Sequence, residues 1–173
     1  MADGNKFKET VESLFQGNKM AEKSFNEFIK RLNKLKWNYS TGMANGNHVI
    51  RTGVQGDDVP MELHFVFDRE RELTLVFSQL PTALPKEKII EGAAAVAMMN
   101  HNILQGCFDL NTETGEIVFR LVDDWTGGFS DGNVCENMLG MTCQTVDRYN
   151  DKLIAFAEGK ISRDELFAFV RAN

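Results

Sequence analysis

Residues 61–80 read MELHFVFDRERELTLVFSQL, and this stretch decides the predicted fold. Apolar and polar side chains alternate on both sides of a charged turn at residues 68–71. Such a period of two is typical of β-strands that bury one face. The alternation predicts two antiparallel strands joined by a short turn. The residues assigned to the buried face are Met61, Leu63, Phe65 and Phe67 in the first strand and Leu73, Leu75 and Phe77 in the second.

Further strands are predicted on both sides of this hairpin. Upstream, residues 37–43 and 48–54 flank Asn45-Gly46, a pair typical of a tight type I′ turn because both positions need positive φ. Downstream, residues 106–111 and 116–122 form a second hairpin. The sequence therefore predicts an antiparallel sheet made of a four-strand meander plus a hairpin.

Helical periodicity predicts the remaining elements. The predicted helices cover residues 5–15, ended by Gly17, then a segment from residue 18 or 24 to 35, and then residues 86–103, about 133–157 and 162–171. Ser24 and Ser162 each begin a capping-box pattern. The helix over residues 86–103 is so uniformly apolar that we expect it to be buried on more than one side. Pro81 and Pro85 are expected to end the sheet.

The element order α-α-β-β-β-β-α-β-β-α-α predicts an α+β fold, because strands and helices are segregated rather than alternating. A chain of 173 residues corresponds to one domain, residues 1–173. Hydrophobic residues make up 43% and the net charge is −6, which excludes a disordered chain and argues against general nucleic-acid binding. No secretory signal and no membrane-spanning run is recognised, and the three cysteines lack a CxxC spacing. We therefore expect reduced thiols in a cytoplasmic protein.

The sequence contains no recognisable catalytic motif, so we expect a protein that is not an enzyme and needs neither metal nor cofactor. The best chemical candidate is the loop over residues 123–133, which contains Gly127-Gly128 and precedes a helix. A phosphate group could bind at such a helix N-terminus. This loop keeps open a small-molecule-binding or enzymatic domain as the alternative function.

The second face of the predicted sheet is mixed and β-branched, where a solvent-facing sheet would be charged. Either helices of the chain itself, including the N-terminal pair, cover part of this face, or another chain does. Our hypothesis is a surface for a protein partner, a client peptide or a second copy of the chain. The candidate residues on this sheet face are Ile50, Thr52, His64, Val66, Thr74 and Val76. Met98 and Met99, on the central helix, are more typical of a core, but they complete the candidate surface because adaptable binding grooves also use methionine.

Several segments together resemble the YbjN family, whose members are proposed to regulate sensory transduction in bacteria. The resemblance rests on residues 72–81, Asn100-x-Asn102, residues 106–110, residues 115–120 and residues 147–153. It covers about residues 24–158, with the helices at 5–15 and 162–171 as additions. The family is similar in fold to type III secretion chaperones, which hold an unfolded segment of a client. The resemblance implies a small, chaperone-like regulatory module that is often dimeric, and the family has no established catalytic residues to carry over.

The function predicted from the sequence is therefore a non-enzymatic binding module that acts through protein–protein contacts, as a homodimer. A structural subunit of a larger assembly is a further alternative.

Overall fold

The computed structural model describes the backbone of residues 3–172 and the side chains of residues 19–172. The elements follow in this order: α1 (Asp3–Lys34), β1 (Ser40–Ala44), β2 (Asn47–Gln55), β3 (Pro60–Asp68), β4 (Leu73–Ala83), a 3₁₀ turn (Lys86–Lys88), α2 (Ile89–Asn102), β5 (Cys107–Leu110), β6 (Glu116–Asp124), α3 (Gly132–Ala157) and α4 (Arg163–Ala172). The architecture confirms the predicted α+β class.

The N-terminal segment is a single helix, not two helices as predicted. α1 runs continuously through Gly17, since no proline interrupts it and an interior glycine costs only about 1 kcal/mol relative to alanine. Ser24 consequently lies inside the helix, where it caps nothing. Its buried hydroxyl oxygen accepts a hydrogen bond from the Ser130 backbone N–H at 3.0 Å.

The six strands form one antiparallel sheet in the order β1-β2-β3-β4-β6-β5. The first four strands are neighbours in chain order, which confirms the meander. β5 and β6 form the predicted hairpin, with Phe108 opposite Phe119. The sheet therefore has two edge strands, β1 and β5.

The β1–β2 turn has the predicted geometry. Asn45 and Gly46 have φ values of 51° and 78°, and the two residues that flank them, Ala44 and Asn47, are paired. Asparagine and glycine tolerate this left-handed region, so a two-residue turn fits the twist of the strands.

β4 is longer than predicted, because it continues to Ala83 and contains Pro81. Pro81 is exposed and does not end the sheet. Proline lacks an N–H group, so it fits a strand where no ladder bond is needed from its nitrogen. Pro85 precedes the 3₁₀ turn with φ −65°, as expected for a residue that opens a helical segment.

The chain divides into two compact units. One unit comprises residues 1–52, 64–75 and 122–138, and the other comprises residues 53–63, 76–121 and 139–173. The single domain over residues 1–173 stays a prediction.

The core of the first unit is aromatic. Phe28 of α1 meets Phe65 and Phe67 of β3 edge-on, with ring centroids 5.5 and 5.1 Å away. All three side chains are fully buried. Each such pair contributes about 0.5–1.5 kcal/mol beyond its buried area. The alternation in residues 61–67 therefore supplies the surface on which α1 packs.

The second unit is held by aromatic packing and by capped helix ends. Phe108 of β5 lies 5.8 Å from Tyr149 of α3, between ring centroids. The Lys88 ammonium donates to the carbonyl oxygen of Phe156 at 2.5 Å, and the same oxygen accepts the Gly159 N–H at 3.0 Å at the end of α3. These contacts place both ends of the segment 88–108 against α3.

The predicted capping box of the C-terminal helix is confirmed. The Ser162 N–H donates to Glu165 Oε2 at 2.7 Å, and the Glu165 N–H donates to Ser162 Oγ at 3.3 Å. This reciprocal pairing satisfies two backbone groups and sets the start of α4 at Arg163.

Candidate functional site

Five of the eight side chains predicted to form a partner surface are buried within the chain. Ile50, Thr52, Thr74, Val76 and Met99 are all less than 5% exposed. They lie on β2, β4 and α2 and do not line an accessible surface. This corrects the expectation for these five residues.

On β4 the buried face is the one that was predicted to be exposed. Buried hydroxyl groups explain this difference and the burial of Thr52. The Trp37 indole N–H donates to Thr52 Oγ1 at 2.6 Å, and the Thr52 hydroxyl donates to the carbonyl oxygen of Asn38 at 2.6 Å. Thr74 Oγ1 lies 2.7 Å from Ser130 Oγ. A buried hydroxyl costs little once its hydrogen bonds are made. The threonines therefore belong to the core face, although their polarity favoured the opposite assignment.

The other face of the sheet carries the side chains that the sequence assigned to the core of β4. Leu73, Leu75 and Phe77 are half-buried, whereas Thr74 and Val76 between them are buried. On β3, the predicted surface residues His64 and Val66 are also half-buried and alternate with buried Leu63, Phe65 and Phe67. The predicted surface thus mixed residues from both faces of the sheet.

The two most exposed large apolar side chains among the described residues lie on α2 and just beyond its end. α2 is buried on one side only, which corrects the prediction of burial on several sides. Ile90 is 81% exposed and Leu104, just beyond the helix, is 97% exposed. We call the exposed face the α2 stripe, and its members are Ile90, Ala94, Ala97, His101 and Leu104.

A shallow groove adjoins the α2 stripe in the second unit. Its volume is about 440 Å³, and its lining includes Ala97 and Met98 of α2 and Val170 and Arg171 of α4. Met98, the half-buried member of the predicted methionine pair, lies in this groove, while Met99 points into the core. Of the two methionines predicted to bind a partner, only Met98 therefore lies where a partner could contact it.

The position at which the glycine-rich loop could bind a phosphate is occupied by a side chain of the loop itself. Asp131 Oδ1 accepts the backbone N–H groups of Asn133 and Val134 at 2.7 and 3.0 Å, and these bonds lower the pKa of the Asp131 carboxyl. The carboxylate therefore caps α3 at the place where a phosphate would bind. A bound anion would have to displace Asp131 and its negative charge.

Ser130 anchors the same loop from inside the first unit. Its hydroxyl donates to Asp123 Oδ2 at 2.6 Å and accepts from the Trp125 indole N–H at 3.1 Å. Ser130 itself is only 1% exposed. The loop is thus held by a buried polar cluster around Ser130.

The three cysteines are free thiols, and each has a raised pKa. Burial raises the pKa of Cys135 to about 12 and that of Cys143 to about 11. Burial and then the neighbouring Asp109 carboxylate raise the pKa of Cys107. A nucleophilic cysteine needs the opposite shift, because the thiolate is the reactive form.

The spacing of Asp109, Asn111 and Glu113 resembles the start of a calcium-binding loop, but Asn111 forms a hairpin turn instead. Its side-chain oxygen accepts the N–H groups of Glu113 and Thr114 at 2.9 and 3.2 Å. Within the part of the chain that the structure describes, no three His, Cys, Asp or Glu side chains are grouped as a metal ion requires. Among residues 3–172, no helix combines the length and the apolar character needed to cross a membrane.

The sequence carried a signal for the α2 stripe that the prediction did not use. Its four members within α2 are spaced four, three and four residues apart, the spacing of a helix seam that packs against another helix, and Leu104 follows in the extended segment beyond Ile103. Ile89, Ala95 and Val96, one position away from members of the stripe, are buried in the chain itself. In the sequence, the buried face of α2 and the exposed α2 stripe form one continuous run of apolar residues, which concealed that they are two separate faces.

No protein-family profile matches this chain, and no curated protein matches it in sequence. The fold does match a solved structure. The crystal structure of YbjN from E. coli, a proposed transcription regulator, superposes with a TM-score of 0.53 over 79% of this chain and 92% of that chain, at 10% sequence identity. At this identity the likeness is one of fold alone, and the chain therefore has a YbjN-like fold.

Proposed function

We propose that this protein is a non-enzymatic binding module that acts through protein–protein contacts, as a homodimer joined by the α2 stripe. The observation that carries the proposal is the exposure of Ile90 and Leu104 at the two ends of that stripe. Large apolar side chains exposed in a row are typical of an interaction surface.

The α2 stripe is complementary to itself. Ala97 is its midpoint, and Ile90 and Leu104 each lie seven residues from it. In an antiparallel pair of α2 helices, Ala97 faces its counterpart, and each Ile90 lies at the end of the interface where the partner copy's chain leaves α2 toward Leu104. Small residues at the centre allow a close approach, while the large residues pack at both ends. A two-fold axis through Ala97 generates this isologous contact.

The chemistry of the described residues favours binding over catalysis. The thiols are poor nucleophiles because their pKa values are raised, and the Gly127-Gly128 loop is closed by the Asp131 cap and the Ser130 cluster. These contacts disfavour the small-molecule alternative at this loop. Free thiols also fit a reducing compartment, and we place the protein in the cytoplasm.

The likeness to YbjN supports a regulatory role as a class and specifies no partner. A fold alone does not assign a function. We therefore carry over only the idea of a regulatory module and derive the partner surface from the side chains of this chain.

Sedimentation and light scattering of the purified chain test the proposal. We expect twice the chain mass of 19.5 kDa and, for Ile90→Asp and Leu104→Asp, the mass of a monomer with an unchanged circular dichroism spectrum. Leu35→Asp is the matched control, because Leu35 is an exposed apolar residue at the end of α1. A monomeric wild-type chain, or a dimer that survives both stripe variants, would refute the proposed dimer.

A further inference from the structure

The two edge strands of the sheet differ in how they are protected. On β5, the Asn100 side chain pairs with both backbone groups of Phe108, at 2.8 and 2.9 Å. On β1, all five residues are exposed, and the sequence Ser-Thr-Gly-Met-Ala contains neither a charge nor a proline. Natural edge strands usually carry charges, prolines or a cover that prevents pairing with another chain. β1 therefore lacks the charges and the prolines that protect other edge strands.

The register of β1 shows which of its backbone groups point outward. Across a two-residue turn, the flanking pair Ala44 and Asn47 exchanges hydrogen bonds. Hydrogen-bonded pairs alternate along an antiparallel ladder, so Gly42 and Ser40 also bond to β2. The N–H and C=O groups of Thr41 and Met43 therefore face away from β2 and can pair with an added strand.

A pocket lies beside this edge in the first unit. Its volume is about 250 Å³, and its lining includes Met43 of β1, His48 and Phe67 of the sheet, and Ala21 and Glu22 of α1. The Phe25 ring stacks on His48 with centroids 4.5 Å apart, which holds the imidazole in place. A strand added to β1 would place every second side chain on the same face as Met43. One of those side chains would meet the pocket.

The charges around β1 indicate what kind of strand fits. Exposed Lys36 precedes β1, exposed Arg51 is paired with Ser40, and exposed Arg69 lies against Gly46 at the turn. Among the described residues that line the pocket, Glu22 is the only acidic one. This cationic border attracts an acidic chain. It repels the β1 edge of a second copy, which carries the same cations.

We propose that the β1 edge binds an extended acidic peptide as an added strand, with one apolar side chain in the pocket beside Met43. Main-chain hydrogen bonds from Thr41 and Met43 supply affinity, and the pocket and the cationic border supply selectivity. The proposal rests on the proposed binding function and names the partner class and the site. It does not depend on the dimer, because the α2 stripe is a separate surface.

Fluorescence anisotropy with designed peptides tests this inference on the full chain. The probe is a labelled peptide that alternates threonine and valine around one leucine, with glutamates at both ends. Its matched control has lysines in place of the glutamates. We expect the acidic peptide to bind, the basic peptide to bind at least tenfold more weakly, and added salt to weaken binding of the acidic peptide.

Thr41→Pro separates strand addition from other binding modes. Proline removes an N–H group that points away from β2, so the β1–β2 ladder stays intact. The loss of one hydrogen bond predicts about tenfold weaker peptide binding. Thr41→Val, which keeps the N–H group, is the matched control and should bind as the wild type does. Arg69→Glu should weaken the acidic peptide and strengthen the basic one.

Three results would overturn the inference. They are equal binding to Thr41→Pro and wild type, equal or tighter binding of the basic peptide, and no binding of the acidic peptide by a correctly folded chain. An oligomer larger than a dimer that disappears in Thr41→Pro would show that a second copy occupies the edge instead. Light scattering on the same samples reports the α2 dimer separately, so failure of the peptide proposal and failure of the dimer proposal are distinguishable.

Discussion

The side-chain amide of Asn100 forms two hydrogen bonds with the backbone of Phe108. Asn100 Nδ2 donates to the Phe108 carbonyl oxygen at 2.9 Å, and Asn100 Oδ1 accepts from the Phe108 N–H at 2.8 Å. The amide thus imitates the pairing that a neighbouring strand would provide. Because Asn100 belongs to α2 and Phe108 to β5, the contact also fastens the helix to the sheet edge.

Replacing this amide should destabilise the chain measurably. Asn100→Leu leaves both backbone groups of Phe108 without their partner, and an unsatisfied group costs about 1–3 kcal/mol in the free energy of unfolding. Urea denaturation measures the loss. Asn102→Ala is the control, since Asn102 makes a single bond to the Val170 carbonyl oxygen at 3.2 Å and should cost less. Equal losses in both variants would contradict the role given to Asn100.

Disulfide trapping should reveal the symmetry of the proposed dimer. Two cysteines can be joined only when their Cα atoms lie within about 7 Å of each other. Ala97→Cys lies on the proposed two-fold axis and should cross-link to itself under mild oxidation. Ile90→Cys alone should not, while the double variant Ile90→Cys/Leu104→Cys should. Non-reducing electrophoresis distinguishes the three outcomes, and efficient self-linking through Ile90→Cys would exclude the antiparallel register.

Ser130 should be the most sensitive hydroxyl of the glycine-rich loop. Ser130→Ala removes the partner of the Asp123 carboxylate and leaves Thr74 with one contact fewer. We expect a loss of about 2–3 kcal/mol in the free energy of unfolding, because a charged group is among those left unpaired. Thermal denaturation measures it against Ser40→Ala, an exposed serine of β1. A loss no larger than that of the control would show that the cluster does not hold the loop.

The stability of the chain should depend on the ionisation of Asp131 at acid pH. The N–H groups of Val134 and then of Asn133 lower the pKa of its carboxyl below the ordinary value of 3.8. The lowered pKa means that the carboxylate stabilises the fold fully above that ordinary value. The contribution disappears as the pH falls through the lower pKa of the folded state.

Asp131→Asn isolates this contribution, because asparagine keeps an oxygen that can cap the helix but does not titrate there. Urea denaturation across a series of pH values measures the free energy of unfolding. At acid pH this free energy should fall less steeply with decreasing pH for the variant than for the wild type. Identical slopes below pH 3.8 would show that the cap does not titrate with folding.

The thiols should resist alkylation while the chain is folded. Burial raises the pKa of Cys135 to about 12 and that of Cys143 to about 11, so the thiolate fraction at neutral pH is minute. Iodoacetamide followed by mass measurement should add little to the native chain and three groups to the denatured chain, which has three cysteines. Rapid modification of Cys135 in the native chain would reveal an activated thiol and reopen an enzymatic role.

The candidate site was less predictable than the strands, for a reason that β4 illustrates. The alternation in residues 73–80 was readable, but the sequence did not show which of the two alternating sets of side chains is buried, because leucine and phenylalanine on one face compete with threonine, valine and serine on the other. The choice of the buried set depends on Ser130, which is 56 residues from Thr74 in the chain. Ser130 supplies the hydrogen bond that makes Thr74 acceptable in the core. No local pattern contains that information.

The sequence by itself determined the class of fold, the β1–β2 turn at Asn45-Gly46, the buried face of β3 and the capping box at Ser162, because each depends on neighbouring residues alone. Only the tertiary structure decided that Thr52 and Thr74 are core residues, that α1 continues through Gly17, and that α2 leaves Ile90 exposed. These outcomes depend on which distant groups approach each side chain, and burial is a property of that approach. The tertiary structure therefore moved the candidate surface from the sheet face to the α2 stripe and the β1 edge.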